Sequence, residues 1–542
     1  MMEISGKIID VIKKRIYYGK LIIENKKIKN IISSHSDISG KYILPGFVDA
    51  HVHIESSMLT PTEFSRLAVR HGTVAVVTDP HEITNVLGVE GFRYMVEDAR
   101  KALLKIKFGV PSCVPATNFE TTGANIGEHE IEKLFQVEAS YHLSEMMNFP
   151  GVINRNPEVM GKIEVAKRYN RKIDGHAPEI SGRKLKKYVE AGITTDHECI
   201  RIEEAKEKID LGMYILIREG SAAKNFEVLF PLIEEYPEKV MFCTDDSHPD
   251  DLAEKHINDM VKRSLKKGIG LWNVLQAATV NAVKYYDLDV GLLQPGDKAD
   301  FIVCDHLEEM NINEVYVEGN KVFDKSTGVK PARKSLIINK FNCNEISEKA
   351  LVVRAVNRKN IRVIGAKEDS LMTKTLIEKP MVQGNQVVSD LERDLLKIVV
   401  VNRFSPKKPV VGFVHGFGLK NGALASSIAH DSHNLIAVGT DDHSITGALN
   451  AVIREKGGIV VCHDGKEDIL SLPVAGLMTT DDGETVADEY KELNQKAKET
   501  GTSLNAPFMT LSFMALLVIP ELKISDRGLF DVTKFRFTDL FV

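Results

Sequence analysis

The chain has 542 residues, more than one hydrophobic core usually supports, so two or three domains are expected. Its 43% hydrophobic and 27% charged residues are those of an ordinary globular protein, and a net charge of -6 leaves no basic excess to displace counterions from a nucleic acid. No run of about 18 apolar residues predicts a membrane span, and six scattered cysteines without a CxxC pair argue against a disulfide scaffold or a zinc ribbon.

The start, "MMEISGKIIDVIKKRIYYGK", is charged and lacks the apolar centre of a signal peptide, which with the unpaired cysteines predicts a cytoplasmic protein. Residues 1–48 alternate short β-type runs with polar turns, and the same texture returns within 291–344 in "DKADFIVCDHLEEMNINEVYVEGNKVFD". The two pieces are expected to build one small composite β-sandwich domain around the segment 49–290.

That middle segment is more regular. Apolar runs recur as "YILPGFVDAHVH", "TVAVVTDPH", "IKFGVPSCVP", "ASYHLSE", "KIDGHAP", "ITTDHE", "MYILIREG" and "VMFCTDDSH". Between them lie stretches of helical spacing such as "SGRKLKKYVEAG" and "DLAEKHINDMVKRSLKKG", several closing on a glycine that suits a left-handed helix cap. Eight buried strands alternating with helices predict an α/β fold of the (β/α)8 barrel type. A doubly wound open sheet is the alternative, but no GxGxxG phosphate turn supports it. Residues 345–542 change texture again, with strand-like runs such as "DLLKIVVVNRF" and "GGIVVCHDG" around "SITGALNAVIREKGG", and are expected to form an additional C-terminal α+β domain.

In such a barrel the C-terminal strand ends face one mouth, where functional groups gather. The first run ends His51-Val-His53, and residues i and i+2 of a strand point to the same side, so both imidazoles can converge on one ion. Taken alone the pair reads equally well as ordinary surface histidines. The fourth run ends on Glu145, the fifth leads to His176, the sixth to His197 and the eighth to Asp245. Imidazole and carboxylate together suit Zn, Fe or Mn, and six protein ligands exceed what one tetrahedral ion needs, so a two-metal site with a bridging carboxylate is expected.

"LPGFVDAHVH" followed by "GLLQPGDKADFIVCD" resembles the amidohydrolase superfamily, and "HVHIESSM", "TDPHEI", "SEMMNFPGV", "DGHAP", "TTDHE" and "GTDDHS" resemble its adenine deaminase family over essentially the whole chain. The resemblance implies metal ligands His51, His53, Glu145, His176, His197 and Asp245. Glu145 stands where many superfamily members carry a carboxylated lysine, and it bridges two ions without modification. A two-metal Mn2+ or Fe2+ centre is implied, with Zn2+ as the alternative.

The implied activity is hydrolytic deamination of adenine to hypoxanthine and ammonia by a metal-activated hydroxide, in purine salvage. Asp245 would move the nucleophile's proton, with Glu55, Glu198 and Asp246 as further candidates for the acid. A homo-oligomer, a dimer or higher, is also implied.

Substrate contacts are expected from Arg218 and Ser221 after the seventh run, from His81 in "TDPHEI", and from Asn118 with Glu120 in "ATNFETTG". Each has a plain alternative as a solvated or structural side chain. In the C-terminal domain, His430, Asp431, His433, Asp441, Asp442 and His443 imitate a further ion site; they read more simply as turn residues, or as a segment closing the pocket over the barrel mouth. The other readings of the whole chain are an amidohydrolase of the cytosine deaminase or dihydroorotase kind, and a non-catalytic barrel scaffold.

Overall fold

Each of the eight apolar runs of the middle segment forms a strand in the computed structural model, which describes all residues except 35–39, 138, 333, 357–358 and 369. Five parallel strands, Phe47–Val52, Thr73–Thr78, Lys105–Val110, Ser140–Met146 and Lys172–Gly175, make one arc. Three more, Thr195–Asp196, Tyr214–Arg218 and Val240–Cys243, make the other. Parallel bridges at Ile173–Ile193 and Val52–Asp245 join the arcs into a closed barrel. Strands such as Thr73–Thr78 are buried at every residue, because helices cover one face and the barrel interior the other, and the sequence is accordingly a continuous apolar run rather than an alternating one.

The segments flanking the barrel meet in a seven-stranded sheet. Its order is Asn320–Asp324, Ile312–Val317, Phe301–Cys304, Tyr42–Pro45, Met2–Asp10, Arg15–Glu24 and Lys27–Ser33, so strands from both ends of the barrel segment pair directly, Phe301–Cys304 against Tyr42–Pro45. The C-terminal part is built on an eight-stranded sheet around the fully buried strand Leu396–Val401. Two long helices pack near it, Asp442–Glu455 and Gly483–Glu499, and both begin on an aspartate. Asp441 accepts from the Ser444 amide, and Asp482 from the amides of Glu484 and Thr485, which satisfies donors that a helix start leaves free. Val486, Tyr490, Leu493 and Ala497 recur at helical spacing and form the buried stripe of the second helix, which lies on the barrel helices Pro249–Glu254 and Pro61–Ala68. No helix among the described residues is long and apolar enough to cross a membrane.

One apolar core runs without interruption from the barrel into the C-terminal sheet. At their junction Arg403, with no accessible surface, has no carboxylate partner among the described residues. Its guanidinium donates to the carbonyl oxygens of His433 (3.3 Å), Ala475 (2.9 Å) and Lys340 (3.4 Å) and to Asn339 Oδ1 (3.0 Å), and it lies over the rings of Phe341 and Phe404. It therefore ties the connection between domains to the loop carrying His430–Asn434, whose Asn434 Oδ1 accepts from the Arg403 amide at 3.2 Å. Arg403→Ala should lower unfolding stability by about 3 kcal/mol or more, because it leaves a cavity and several buried carbonyls without donors. Denaturant unfolding measures this directly, and a loss under about 1 kcal/mol would show that the junction does not depend on it.

Candidate metal centre

The barrel closes at its functional end. Asp245 donates its amide to the His51 carbonyl (3.0 Å), and His53 donates to the Asp245 carbonyl (3.2 Å), so the pairing of the first and last strands itself sets three ionisable side chains side by side. Asp49, buried behind them, accepts from the amides of His51 and Thr244 and faces His256 at 3.2 Å. The i, i+2 expectation for His51 and His53 holds: their Nε2 atoms lie 3.2 Å apart.

His53 Nδ1 faces the Asp79 carbonyl at 2.9 Å, and a carbonyl only accepts, so Nδ1 carries the proton. In the neutral ring Nε2 is then a lone pair, aimed at His51 Nε2, Asp245 Oδ1 (3.1 Å) and Glu145 Oε1 (3.2 Å). With the ring neutral, three acceptor atoms, His53 Nε2, Asp245 Oδ1 and Glu145 Oε1, converge in a buried space and repel one another unless a proton or a cation stands among them. The other oxygen of Glu145 faces a second set, His176 Nδ1 at 2.8 Å and His197 Nε2 at 3.3 Å. The Glu145 carboxylate thus divides its two oxygens between two groups of imidazoles. All six residues are buried, and nitrogen and oxygen donors of this kind fit divalent cations.

The charges show the same demand. Burial disfavours charge on His53, yet the hydrogen bonds that its protonated ring donates to Asp245 and Glu145 overcome it and push the imidazole well above its usual pKa; His197 responds likewise to Glu145 and Glu198. Burial also opposes the Glu145 carboxylate, and the three histidines outweigh it and hold the group well below the usual carboxylate range. Among the described residues one guanidinium enters. Arg218, ending the seventh strand, pairs with both oxygens of Glu198 and donates to Asp245 Oδ2 at 2.8 Å. Against their burial, Arg218 holds Glu198 and Asp245 ionised.

Of the expected substrate and acid residues, His81, Glu198 and Arg218 line the cavity above the cluster, with Asp246. His81 turns Nδ1 to Asp79 (3.2 Å) and Glu145 (3.6 Å) and Nε2 to Asp431 of the C-terminal domain (3.7 Å). Ser221 and Asn118 are elsewhere. Ser221 is spent on Asp251 and on the His248 amide, holding a loop on the barrel flank. Asn118 is exposed at a separate depression, because its loop runs outward to the C-terminal hairpin, where its carbonyl accepts from Arg527. Glu55 is buried behind the cavity wall, its Oε1 accepting from the Ile83 amide, and burial with the neighbouring Glu82 raises its carboxyl to about 8.

Glu82 itself lines the cavity, a residue that the sequence reading passed over beside the more conspicuous His81. Leu371, His430, Asp431, Phe513 and Leu516 reach the same cavity from the C-terminal domain. His430 Nδ1 stands 3.3 Å from Glu82 Oε1, and the carboxylates of Glu82 and Asp431 raise it to about 9 against burial. His433, wholly buried, stands behind them with Nε2 3.6 Å from Glu82 Oε2, whereas the end of the His/Asp run lies apart. Asp441 caps a helix, Asp442 pairs with Lys397, and the exposed His443 pairs with Glu348. The segment is pocket wall at its start and surface at its end.

Behind His197, the wholly buried Lys208 donates to Asp196 (2.9 Å), Glu204 (2.9 Å) and the carbonyl of Ala177 (2.8 Å), bracing both the His197 and the His176 strand ends. Lys208→Ala should cost about 3–5 kcal/mol by stranding two buried carboxylates. Equilibrium unfolding tests this, and a loss below about 1 kcal/mol would contradict it.

Residues 42–322 match the model of the amidohydrolase family, and residues 370–536 match that of the adenine deaminase C-terminal domain. Curated relatives named adenine deaminase are similar over full length. The chain is 51% identical to one from Methanosarcina barkeri, with 100% of both chains covered. It is 50% identical to one from Sulfurovum sp., with 99% of each covered, and 47% identical to one from Parabacteroides distasonis, with 100% of this chain and 99% of the other covered.

Proposed function

This chain belongs to the amidohydrolase family, among its adenine deaminases, and from that membership we propose that it hydrolyses adenine to hypoxanthine and ammonia at a two-metal centre in the barrel mouth. The observation that supports the reading most is the division of the Glu145 oxygens between His53 on one side and His176 with His197 on the other. His51, His53 and Asp245 would hold one ion, His176 and His197 the other, and Glu145 both. Nitrogen and oxygen ligands without a thiolate suit manganese or iron.

When bound, such cations supply Lewis acidity and make water a competent nucleophile at neutral pH. The chain's own residues do the rest. Asp245 presents one oxygen to the histidines, while Arg218 holds the other, so its carboxylate stays ionised and placed to take the nucleophile's proton. Glu198, paired through both oxygens with Arg218, has no proton to give at neutral pH and serves as an acceptor for a substrate N–H. Glu82 is the better proton holder: burial pushes its carboxyl up, and it faces the cavity between the barrel and His430. It is placed to donate to a ring nitrogen as charge develops on the purine. The C-terminal domain supplies one side of the cavity, with the apolar side chains of Leu371, Phe513 and Leu516 facing the polar barrel residues.

Manganese-loaded protein should release ammonia from adenine and none from cytosine; the reverse preference would overturn the substrate assignment. Glu145→Gln should cut bound metal from about two equivalents to one or fewer and lower kcat by about 10³-fold or more. Elemental analysis and ammonia release on the same preparation measure both, and full metal content with near-normal turnover would remove Glu145 from the site.

A further inference from the structure

The cavity has an apolar side that belongs to the C-terminal domain, made by Leu371, Phe513 and Leu516. Leu371 lies in a loop before the strand Lys374–Glu378, and Phe513 is the last residue of the helix Pro507–Phe513. Nothing in the local sequence of either segment fixes its distance from the other. A third segment does. The strand Leu522–Ser525 runs between them, and Thr373 Oγ1 donates to the Leu522 carbonyl (2.9 Å) while the Ile524 amide donates to the Met514 carbonyl (3.0 Å).

At the centre of that strand is Lys523, with no accessible surface and no carboxylate partner among the described residues. Its Nζ donates to the Leu371 carbonyl at 2.7 Å and to the Phe513 carbonyl at 2.9 Å. The Phe513 carbonyl lies at the helix C-terminus, where it also accepts from the Leu516 amide (3.2 Å), and a cation there meets the negative end of the helix dipole. Burying an ammonium without a counter-ion is expensive, and here burial alone brings it down to about 7. A methionine of similar length would fill the same space without that cost, though it would take a donor from the Leu371 and Phe513 carbonyls, so the two effects on core stability oppose each other. The two carbonyls have one thing in common: both belong to residues whose side chains face the cavity.

We propose that Lys523 is a positioning residue for substrate, a bracket that fixes the Leu371 and Phe513 segments at the spacing that lets their side chains receive the flat face of the purine. This rests on the adenine reading above. Lys523 touches neither the ligand cluster nor the cavity, so its effect falls on binding rather than on the reacting groups. Phe513 is also in ring contact with His430, at 5.1 Å between centroids and a 30° tilt, so a displaced helix end loosens His430 as well.

The test compares full-length, manganese-loaded wild type with Lys523→Met and Lys523→Gln, measuring kcat and KM for adenine, metal content and thermal midpoint. Lys523→Met should raise KM by about 5- to 20-fold with kcat within about 3-fold, unchanged metal content, and a midpoint close to wild type, because the relieved desolvation offsets the lost donors. Lys523→Gln keeps two N–H donors on a shorter arm and should recover part of the loss, with KM raised about 2- to 5-fold. If the methionine variant does not fold, the glutamine variant decides by the same split. An unchanged KM in an active protein overturns the bracket. A fall in kcat together with lost metal or a lowered midpoint also overturns it, showing Lys523 to be a general structural residue. A wild type that does not turn over adenine overturns the substrate reading and this inference with it, an outcome that the wild-type assay alone identifies.

Discussion

Two backbone hydrogen bonds, Asp245 to His51 and His53 to Asp245, close the barrel, and the remaining geometry of the centre depends on them. A parallel barrel must pair its first strand with its last, and here that seam falls on the residues whose side chains form the cluster. The ligands therefore cannot drift apart without opening the fold. Asp49 reinforces the seam from within by accepting from amides on both strands. A loop-borne set of histidines would have to be ordered on binding each ion; this set is ordered by the hydrogen bonds that make the barrel a barrel.

Electrostatics determines what can occupy that ordered space. Glu145, Asp245 and Glu198 bring negative charge into a buried volume, and among the described residues Arg218 alone supplies a permanent positive charge there. Arg218 is committed to Glu198 and to one oxygen of Asp245, which leaves the other Asp245 oxygen and both Glu145 oxygens facing imidazoles. Imidazoles meet that demand only by accepting protons against their burial, as the upward shifts of His53 and His197 record. A divalent cation relieves both sides together, since it satisfies lone pairs and carboxylates without protonating the rings. The site is frustrated as a protein core and well matched as a ligand shell, as functional sites commonly are.

Much of this was legible in the sequence because the signal was periodic and repeated. Eight apolar runs alternating with helical stretches dictated the barrel, and the rule that functional groups gather at strand ends located His51, His53, Glu145, His176, His197 and Asp245 together. Loop residues were not legible in that way. Ser221 and Asn118 follow strands just as Arg218 does, yet one loop turns along the flank and the other runs out to the C-terminal hairpin, and no spacing distinguishes those paths. Glu82 was hidden by adjacency: it lines the same cavity as His81, the more conspicuous residue beside it in the chain. Lys523 was least visible, because a lysine between two apolar residues in "ELKISD" reads as the exposed side of an edge strand. Only tertiary contacts reveal it as buried.

These misses share a cause that bears on how the molecule is built. The barrel provides the clustered histidines and carboxylates, and its residues announce themselves by type. The C-terminal domain provides spacing, and its residues do so through backbone contacts. Arg403 and Lys523 are both buried cations without a carboxylate partner among the described residues, and both spend their donors on main-chain carbonyls at segments that reach the cavity. Arg403 holds the His430 loop and Lys523 the Leu371 and Phe513 segments. A carbonyl ligand constrains a backbone more tightly than a side-chain pair does, since it leaves no rotamers between the bond and the chain. The domain that carries none of the six clustered residues therefore shapes part of the wall of the space above them, which lies at the boundary between the two domains.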